Sequence, residues 1–190
     1  MPKIVDHEKY RKELLWKSFE LFAQRGYASV TMREIAKELG VSTGTLYHYF
    51  PNKEALFLQL VEEQCQQDIV NFLTESGDIK HISERIRALV NFVEKNEDYF
   101  ISQILLYCNF YQQEGKSEVL NNEVLKRINE KSREELLNFL EIEDTAVADF
   151  VVNFLNGLIC VRMFEGEMVS YEEQGELLAQ MVSGYLANWE

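Results

Sequence analysis

The chain is poor in proline, cysteine and histidine. Its two prolines are Pro2 and Pro51, so no proline-rich linker is available and only Pro51 can break an element inside the chain. The three cysteines, Cys65, Cys108 and Cys160, are odd in number and far apart. That excludes a disulfide framework and any paired-cysteine metal or redox motif. Each falls in an apolar or amphipathic stretch and reads as a buried, inert thiol. The three histidines, His7, His48 and His81, are equally scattered, with no spacing for zinc or for a Cys–His nucleophile pair, so no metal or cofactor is implied. No apolar run reads as long enough to span a membrane, and MPKIVDHEKYRKE contains no apolar signal core. A cytoplasmic, membrane-free location is expected.

Positive charge is scarce as well. Nineteen Lys and Arg against 32 Asp and Glu leave a net charge of −13, which by itself opposes nucleic-acid binding. The distribution reverses that reading. Residues 1–53 carry nine basic and six acidic side chains, a net of +3, and the remainder carries −16. Contact with a polyanion is therefore confined to the N-terminal end, and the acidic body serves solubility equally well. With 190 residues, 46% hydrophobic and 27% charged, the chain suits one helical domain or a small module joined to a larger one.

What is present is concentrated in Val30 to Lys53, VTMREIAKELGVSTGTLYHYFPNK. Thr31 and Glu34 have the spacing of a capping box. Ile35, Ala36 and Leu39 then form one apolar face at helical spacing, and Gly40 supplies a left-handed stop. Val41 plugs the turn and Ser42 caps a second short helix, roughly Thr43 to Phe50. That helix buries Leu46 and Phe50 and turns Thr43, Gly44, Thr45, Tyr47 and His48 outward. Pro51 ends it, and Asn52 caps the next helix. Helix, glycine turn, short helix is helix-turn-helix grammar, whose second helix enters the DNA major groove.

ASVTMREIAKELGVSTGTLYHYFPNKEALF resembles the DNA-binding signature of the TetR family of bacterial transcriptional regulators. The resemblance rests on TMREIA, LGVS, GTLYHYF and NKEALF occurring together after an amphipathic helix, and it covers the first quarter of the chain. It implies an all-α protein, with a DNA-binding domain at 1–51 and a helical ligand-binding and dimerisation domain at 52–190. It also implies that Arg33 and Thr43–Thr45 read bases, and that Tyr47, His48, Tyr49 and Lys53 hold phosphates or bases. Thr31 and Ser42 complete the DNA-facing set. Residue types agree: Thr43, Gly44 and Thr45 are short, and Arg33 can donate twice to guanine. The recognition helix has no Arg or Lys of its own.

A first helix is expected from about His7 to Arg25, with Leu15, Ser18, Phe19 and Phe22 on one face and Gly26 as its stop. Lys3, Lys9, Arg11 and Lys12 lie where a phosphate backbone could pass, or are simply solvated. A long amphipathic helix from Asn52 to about Thr74 leads out of the module without a flexible linker. Helices follow at Ile79–Lys95, Tyr99–Gln113, Glu118–Leu140, Thr145–Glu165 and Tyr171–Trp189, giving about nine in all.

Tyr99–Gln113 has two apolar stripes, Phe100, Gln103, Ile104, Tyr107 and Tyr111 on one side and Ile101, Leu105 and Cys108 on the other. That pattern reads as a helix buried on both sides. The first stripe, with its three polar tips, suits a ligand cavity, or core tyrosines whose hydroxyls reach the surface. Candidate ligand walls are Phe92, Phe100, Gln103, Ile104, Tyr107, Tyr111 and Phe154. The last two helices carry more apolar residues than one face needs. The resemblance makes them a dimer interface of Phe150, Phe154, Leu158, Val161, Leu178, Met181, Val182 and Tyr185, although the pattern alone fits a buried core.

The expected function is a homodimeric regulator, a repressor that binds a pseudo-palindromic operator and is released by a small hydrophobic or aromatic effector. An enzyme would need convergent titratable groups, and the carboxylates here sit on charged faces. A helical interaction scaffold would leave the polar, exposed Thr43–Lys53 surface without a purpose.

Overall fold

The computed structural model describes residues 6–188; Lys3 and Trp189 lie outside them. Among the described residues the chain forms ten α-helices and one short 3-10 turn, with no strands. The helices are α1 (His7–Arg25), α2 (Met32–Glu38), α3 (Thr43–Tyr49), α4 (Lys53–Ser76), α5 (Ile82–Lys95), α6 (Glu97–Glu114), α7 (Lys116–Asn121), α8 (Glu123–Leu140), α9 (Thr145–Glu165) and α10 (Tyr171–Ala187). The all-α reading holds. The helix expected at Glu118–Leu140 is two helices, because the Asn122 side chain accepts from the backbone N–H of Val124 (3.1 Å) and Leu125 (3.2 Å) and starts a new one.

The chain divides into two compact units, residues 1–67 with 103–128 and residues 68–102 with 129–190. The core of the first is built on Leu14, Leu15, Phe22, Ile35, Leu46, Phe50 and Phe57, all essentially inaccessible to solvent. Tyr27 folds back on Phe22 as its position after Gly26 suggests, with ring centroids 5.7 Å apart. Phe57 stacks on Phe110 at 4.0 Å. The Tyr27 hydroxyl donates to Glu114 at 2.9 Å, and burial first, then that carboxylate, push its pKa up.

In the second unit α5 and α10 pack closely at Gly175. A Cβ there would lie 2.9 Å from the Val90 side chain, so α10 carries glycine at the crossing. Arg162 of α9 pairs with Glu97 at 2.7 and 3.0 Å, and the Tyr171 hydroxyl donates to the same carboxylate. These bonds, the Arg162 one foremost, hold the Glu97 carboxyl below its usual pKa.

Three expectations are corrected. α6 buries Gln103, Leu106 and Phe110 and exposes Leu105, Tyr107, Cys108 and Tyr111. Its buried seam runs i, i+3, i+7 between the two expected stripes, so the helix is not covered on both sides. None of the cysteines is buried: Cys108 is exposed, and Cys65 and Cys160 are half-covered. Finally, residues 145–168 are long and apolar enough, by length and composition alone, to cross a membrane. The Arg133–Asp149 pair (2.5 Å) and the Arg162–Glu97 pair tie that helix into its unit through its charged residues.

Candidate functional site

The helix-turn-helix is closed by local bonds at every junction. Thr31 Oγ1 accepts from Glu34 N (3.3 Å), while Glu34 Oε2 accepts from Thr31 N (2.8 Å) and from its hydroxyl (2.7 Å). The capping box is present as its spacing suggests. Those bonds hold the Glu34 carboxyl below its usual pKa. At the other end of α2, Gly40 has φ +69°. Val41 N donates to Ala36 O (2.9 Å) and Gly40 N to Lys37 O (3.1 Å), the paired bonds of a Schellman stop. Ser42 Oγ accepts from Thr45 N at 2.9 Å and starts α3. Phe50, in extended conformation before Pro51, ends it. Asn52 Oδ1 accepts from Ala55 N at 2.7 Å to start α4. Ile35, Ala36, Leu46 and Phe50 point into the core, so the opposite faces of α2 and α3 are fixed outward.

On those faces Thr31, Arg33, Ser42, Gly44, Tyr47 and His48 are exposed, and Thr43, Thr45, Tyr49 and Lys53 are half-buried. The hydroxyls of Thr31 and Ser42 are already spent on caps. The Tyr49 hydroxyl lies 2.8 Å from His7 Nδ1, and its ring meets Tyr10 edge-on at 5.7 Å and His48 at 5.1 Å. His7 and Tyr10 therefore position Tyr49. Neither was legible beforehand, because nothing in local spacing relates residues 42 positions apart. Lys53 Nζ donates to the carbonyls of Tyr27 (3.0 Å) and Val30 (3.1 Å) and lies 4.3 Å from the Tyr27 ring centroid. Burial pushes its pKa down. Its ammonium ties down the loop before α2.

Two cations expected near phosphates are also engaged within the unit. Arg11 bonds Glu8 (3.1 Å) and Gln59 (2.9 Å), and Lys12 pairs with the buried Glu63 at 2.7 Å.

The expected ligand walls fall in both units. Gln103 is buried, Ile104 half-buried, and Tyr107 and Tyr111 exposed, all in the first. In the second unit Phe92 and Phe100 line a cavity of about 240 Å³. Phe154 is half-buried on α9, with its ring 6.4 Å from Phe150. Of the expected interface residues, Leu158, Leu178 and Val182 pack inside the unit. Phe150, Val161, Met181 and Tyr185 are exposed, and Phe150, Val182, Met181 and Tyr185 line a groove of about 530 Å³ along α9 and α10.

Residues 14–60 match the family model of bacterial regulatory proteins of the tetR family. The match falls on the N-terminal helices of the chain, the helix-turn-helix included. It is 33% identical over 101 residues to the HTH-type transcriptional regulator PksA of Bacillus subtilis, an alignment covering 52% of this chain and 48% of that protein. The chain thus spans about half the length of this curated relative. Solved structures share the fold over nearly the whole chain. The regulator FadR of Bacillus subtilis, solved with stearoyl-CoA, superposes with a TM-score of 0.68 and 18% identity, covering 90% of this chain and 96% of that one. A tetR-family regulator from Streptomyces coelicolor gives a TM-score of 0.70 at 16% identity, covering 96% and 82%.

Proposed function

We propose that the chain is a homodimeric, cytoplasmic transcriptional regulator that represses by binding a pseudo-palindromic operator and is released by a small effector. The observation that carries this reading is the outward display of Arg33, Gly44, Tyr47 and His48 on a helix pair capped at each end. It lies in the segment whose net charge is +3 against −16 elsewhere. Arg33 reads guanine and Thr43, Gly44 and Thr45 lie against base edges, with Tyr47, His48 and Tyr49 on the phosphates. Residues 1–51 bind DNA, and 52–190 hold the effector and the dimer contact. Two-fold symmetry sets two copies of α3 one helical turn apart. The effector acts through its differential affinity for the bound and released shapes, and α4, continuous from Lys53 to Ser76, carries the change.

The test is binding of the purified protein to its own upstream intergenic DNA across a salt titration, beside a scrambled duplex. Tighter binding to the upstream DNA at every salt concentration supports the reading. Equal, steeply salt-dependent binding to both places the operator elsewhere. No binding to either duplex at low salt overturns the reading in favour of an interaction scaffold.

A further inference from the structure

Three glycines lie inside α9 and α10, and the unit itself accounts for one of them. At Gly175 the Val90 side chain leaves no room for a Cβ. At Gly157 and Gly184 a Cβ would meet no described atom within 4 Å, and both residues are exposed. Glycine inside a helix is destabilising relative to alanine, because it loses more backbone freedom on folding. No contact within the unit offsets that loss at these two positions.

Both glycines stand among apolar residues turned to solvent. On α9, Phe150, Phe154, Gly157, Val161 and Phe164 succeed one another at steps of four, three, four and three residues, a single stripe along the helix. Phe150, Val161 and Phe164 are exposed and Phe154 is half-buried. Phe164 is the most exposed large apolar side chain among the described residues. Between Asp149 and Arg162 the helix has no charged residue. In an acidic body of net charge −16 such a face is where like copies can meet without repulsion. Gly184 and Met181 of α10, with Phe150 of α9, line the groove of about 530 Å³ near the start of α9, and Phe164 stands near its end. The spacing about Gly157 is symmetric. Phe150 precedes it by seven residues and Phe164 follows it by seven, two turns each way and within about 20° of the same face.

We infer that a second copy of the chain covers this face in one register. Two α9 helices cross antiparallel at Gly157 on the two-fold axis, and Phe164 of each copy enters the groove of the other, beside Phe150 and over Gly184. The inference rests on the homodimer proposed above and adds which residues meet. Glycine at the crossing lets the two backbones approach more closely than the about 8–10 Å usual for packed helices. Glycine at position 184 leaves the groove open to a ring. An unrelated partner would need only the protruding ring or only the groove. Both together, equally far from Gly157, are what an isologous contact requires, in which residue i meets j and j meets i.

The test is disulfide mapping in full-length chains carrying Cys65→Ala, Cys108→Ala and Cys160→Ala, oxidised with copper phenanthroline and read by non-reducing electrophoresis. Gly157→Cys should couple to itself. Phe150→Cys and Phe164→Cys should each stay uncoupled alone, because either residue lies about 21 Å along the axis from its own copy, beyond the reach of a disulfide. Mixed and allowed to exchange subunits, those two chains should couple to each other. A second variant, Gly157→Leu with the native cysteines kept, favours the isolated helix and so should retain helicity by circular dichroism. It should nevertheless raise the dimer dissociation constant at least about tenfold, since a branched side chain at the crossing holds the backbones apart. If wild type sediments as a dimer, three results overturn the register and leave the homodimer standing. These are an uncoupled Gly157→Cys, a self-coupled Phe150→Cys, and a dissociation constant unmoved by Gly157→Leu. A wild type that sediments as a monomer at micromolar concentration removes the homodimer and the register with it.

Discussion

Lys53 Nζ stands 3.0 Å from the Tyr27 carbonyl and 4.3 Å from the centroid of the Tyr27 ring. The first residue of α4 therefore holds the chain that leads into α2, through a hydrogen bond and a cation–π contact to one residue and a second hydrogen bond to Val30. Lys53→Met keeps the stem and removes the donor, leaving two carbonyls to find new partners. The expected cost is about 1.5–3 kcal/mol of stability, the range for hydrogen bonds to a charged group, read as a lower denaturant midpoint. Because the ammonium is already engaged, operator affinity should fall with a salt slope shallower by less than one. A slope shallower by a full unit, with unchanged stability, would show that Lys53 turns to a phosphate instead.

Arg33 behaves differently, since it is exposed and forms no ion pair among the described residues. Arg33→Ala is expected to cost about 1–3 kcal/mol on the operator and to relax preference at one base pair, as for a bidentate base contact. Equal losses on operator and scrambled duplex would demote it to a phosphate contact.

The contrast between these two cations marks where legibility stopped. Most features governed by neighbours within five residues were readable: the Thr31–Glu34 box, the Gly40 stop, the Ser42 and Asn52 caps, and the break at Pro51. Asn122 was missed because its capping role competes with an uninterrupted helical pattern on both sides. The Lys53–Tyr27 and His7–Tyr49 contacts depend on tertiary packing, which spacing does not encode. The face of α6 was misjudged for a related reason. Three adjoining stripes of apolar residues exist, and only packing on Phe57 and its neighbours selects the middle one. The ligand-wall set mixed residues of two units because a single helix, α6, contributes to both.

Gln64 is fully buried on α4, and neither its amide nitrogen nor its oxygen has a partner among the described residues. An unsatisfied buried polar group costs about 1–3 kcal/mol, and replacing it by an apolar group of similar shape is neutral to stabilising. Gln64→Met is therefore expected to leave stability unchanged or to raise it by about 1 kcal/mol, shifting the urea midpoint with an unchanged m value. A clear loss of stability would show that the amide has a partner.

Arg87 binds both oxygens of Glu176, at 2.7 and 3.2 Å, and that hydrogen bonding lowers the carboxyl pKa to about 2. A depressed carboxyl contributes stability that is present in full above its unfolded pKa, near 4.5. The contribution is lost as pH falls from there through about 2. Glu97 and Glu141, lowered chiefly by hydrogen bonds to Arg162 and Arg85, act with the same sign. Thermal unfolding of wild type and Arg87→Met should differ most near neutral pH and converge towards pH 2. A gap that stays constant across that window would show that Arg87 acts through packing of its stem rather than through the charge of Glu176.

Phe150 and Met181 leave 43% and 53% of their surface exposed on the groove between α9 and α10. Farther along the same pair of helices and the turn that joins them, Phe164 and Met168 are 86% and 82% exposed. Apolar surface of this extent on one helix pair calls for a cover, and the homodimer proposed above supplies it with a second copy of the same surface. Phe150→Glu and Met181→Glu alter residues outside the core, so each chain should keep its helicity. In a dimer each change places a carboxylate in an apolar interface, where desolvation costs more than about 1.4 kcal/mol, or over tenfold in dissociation constant. Sedimentation equilibrium should therefore show wild type as a dimer at micromolar concentration and the double variant as a monomer. Affinity for the full palindrome should fall in step, while weak binding to a single half-site persists. A monomeric wild type, or a double variant that dimerises with unchanged affinity, would place the interface elsewhere and remove the reason for expecting half-sites one helical turn apart.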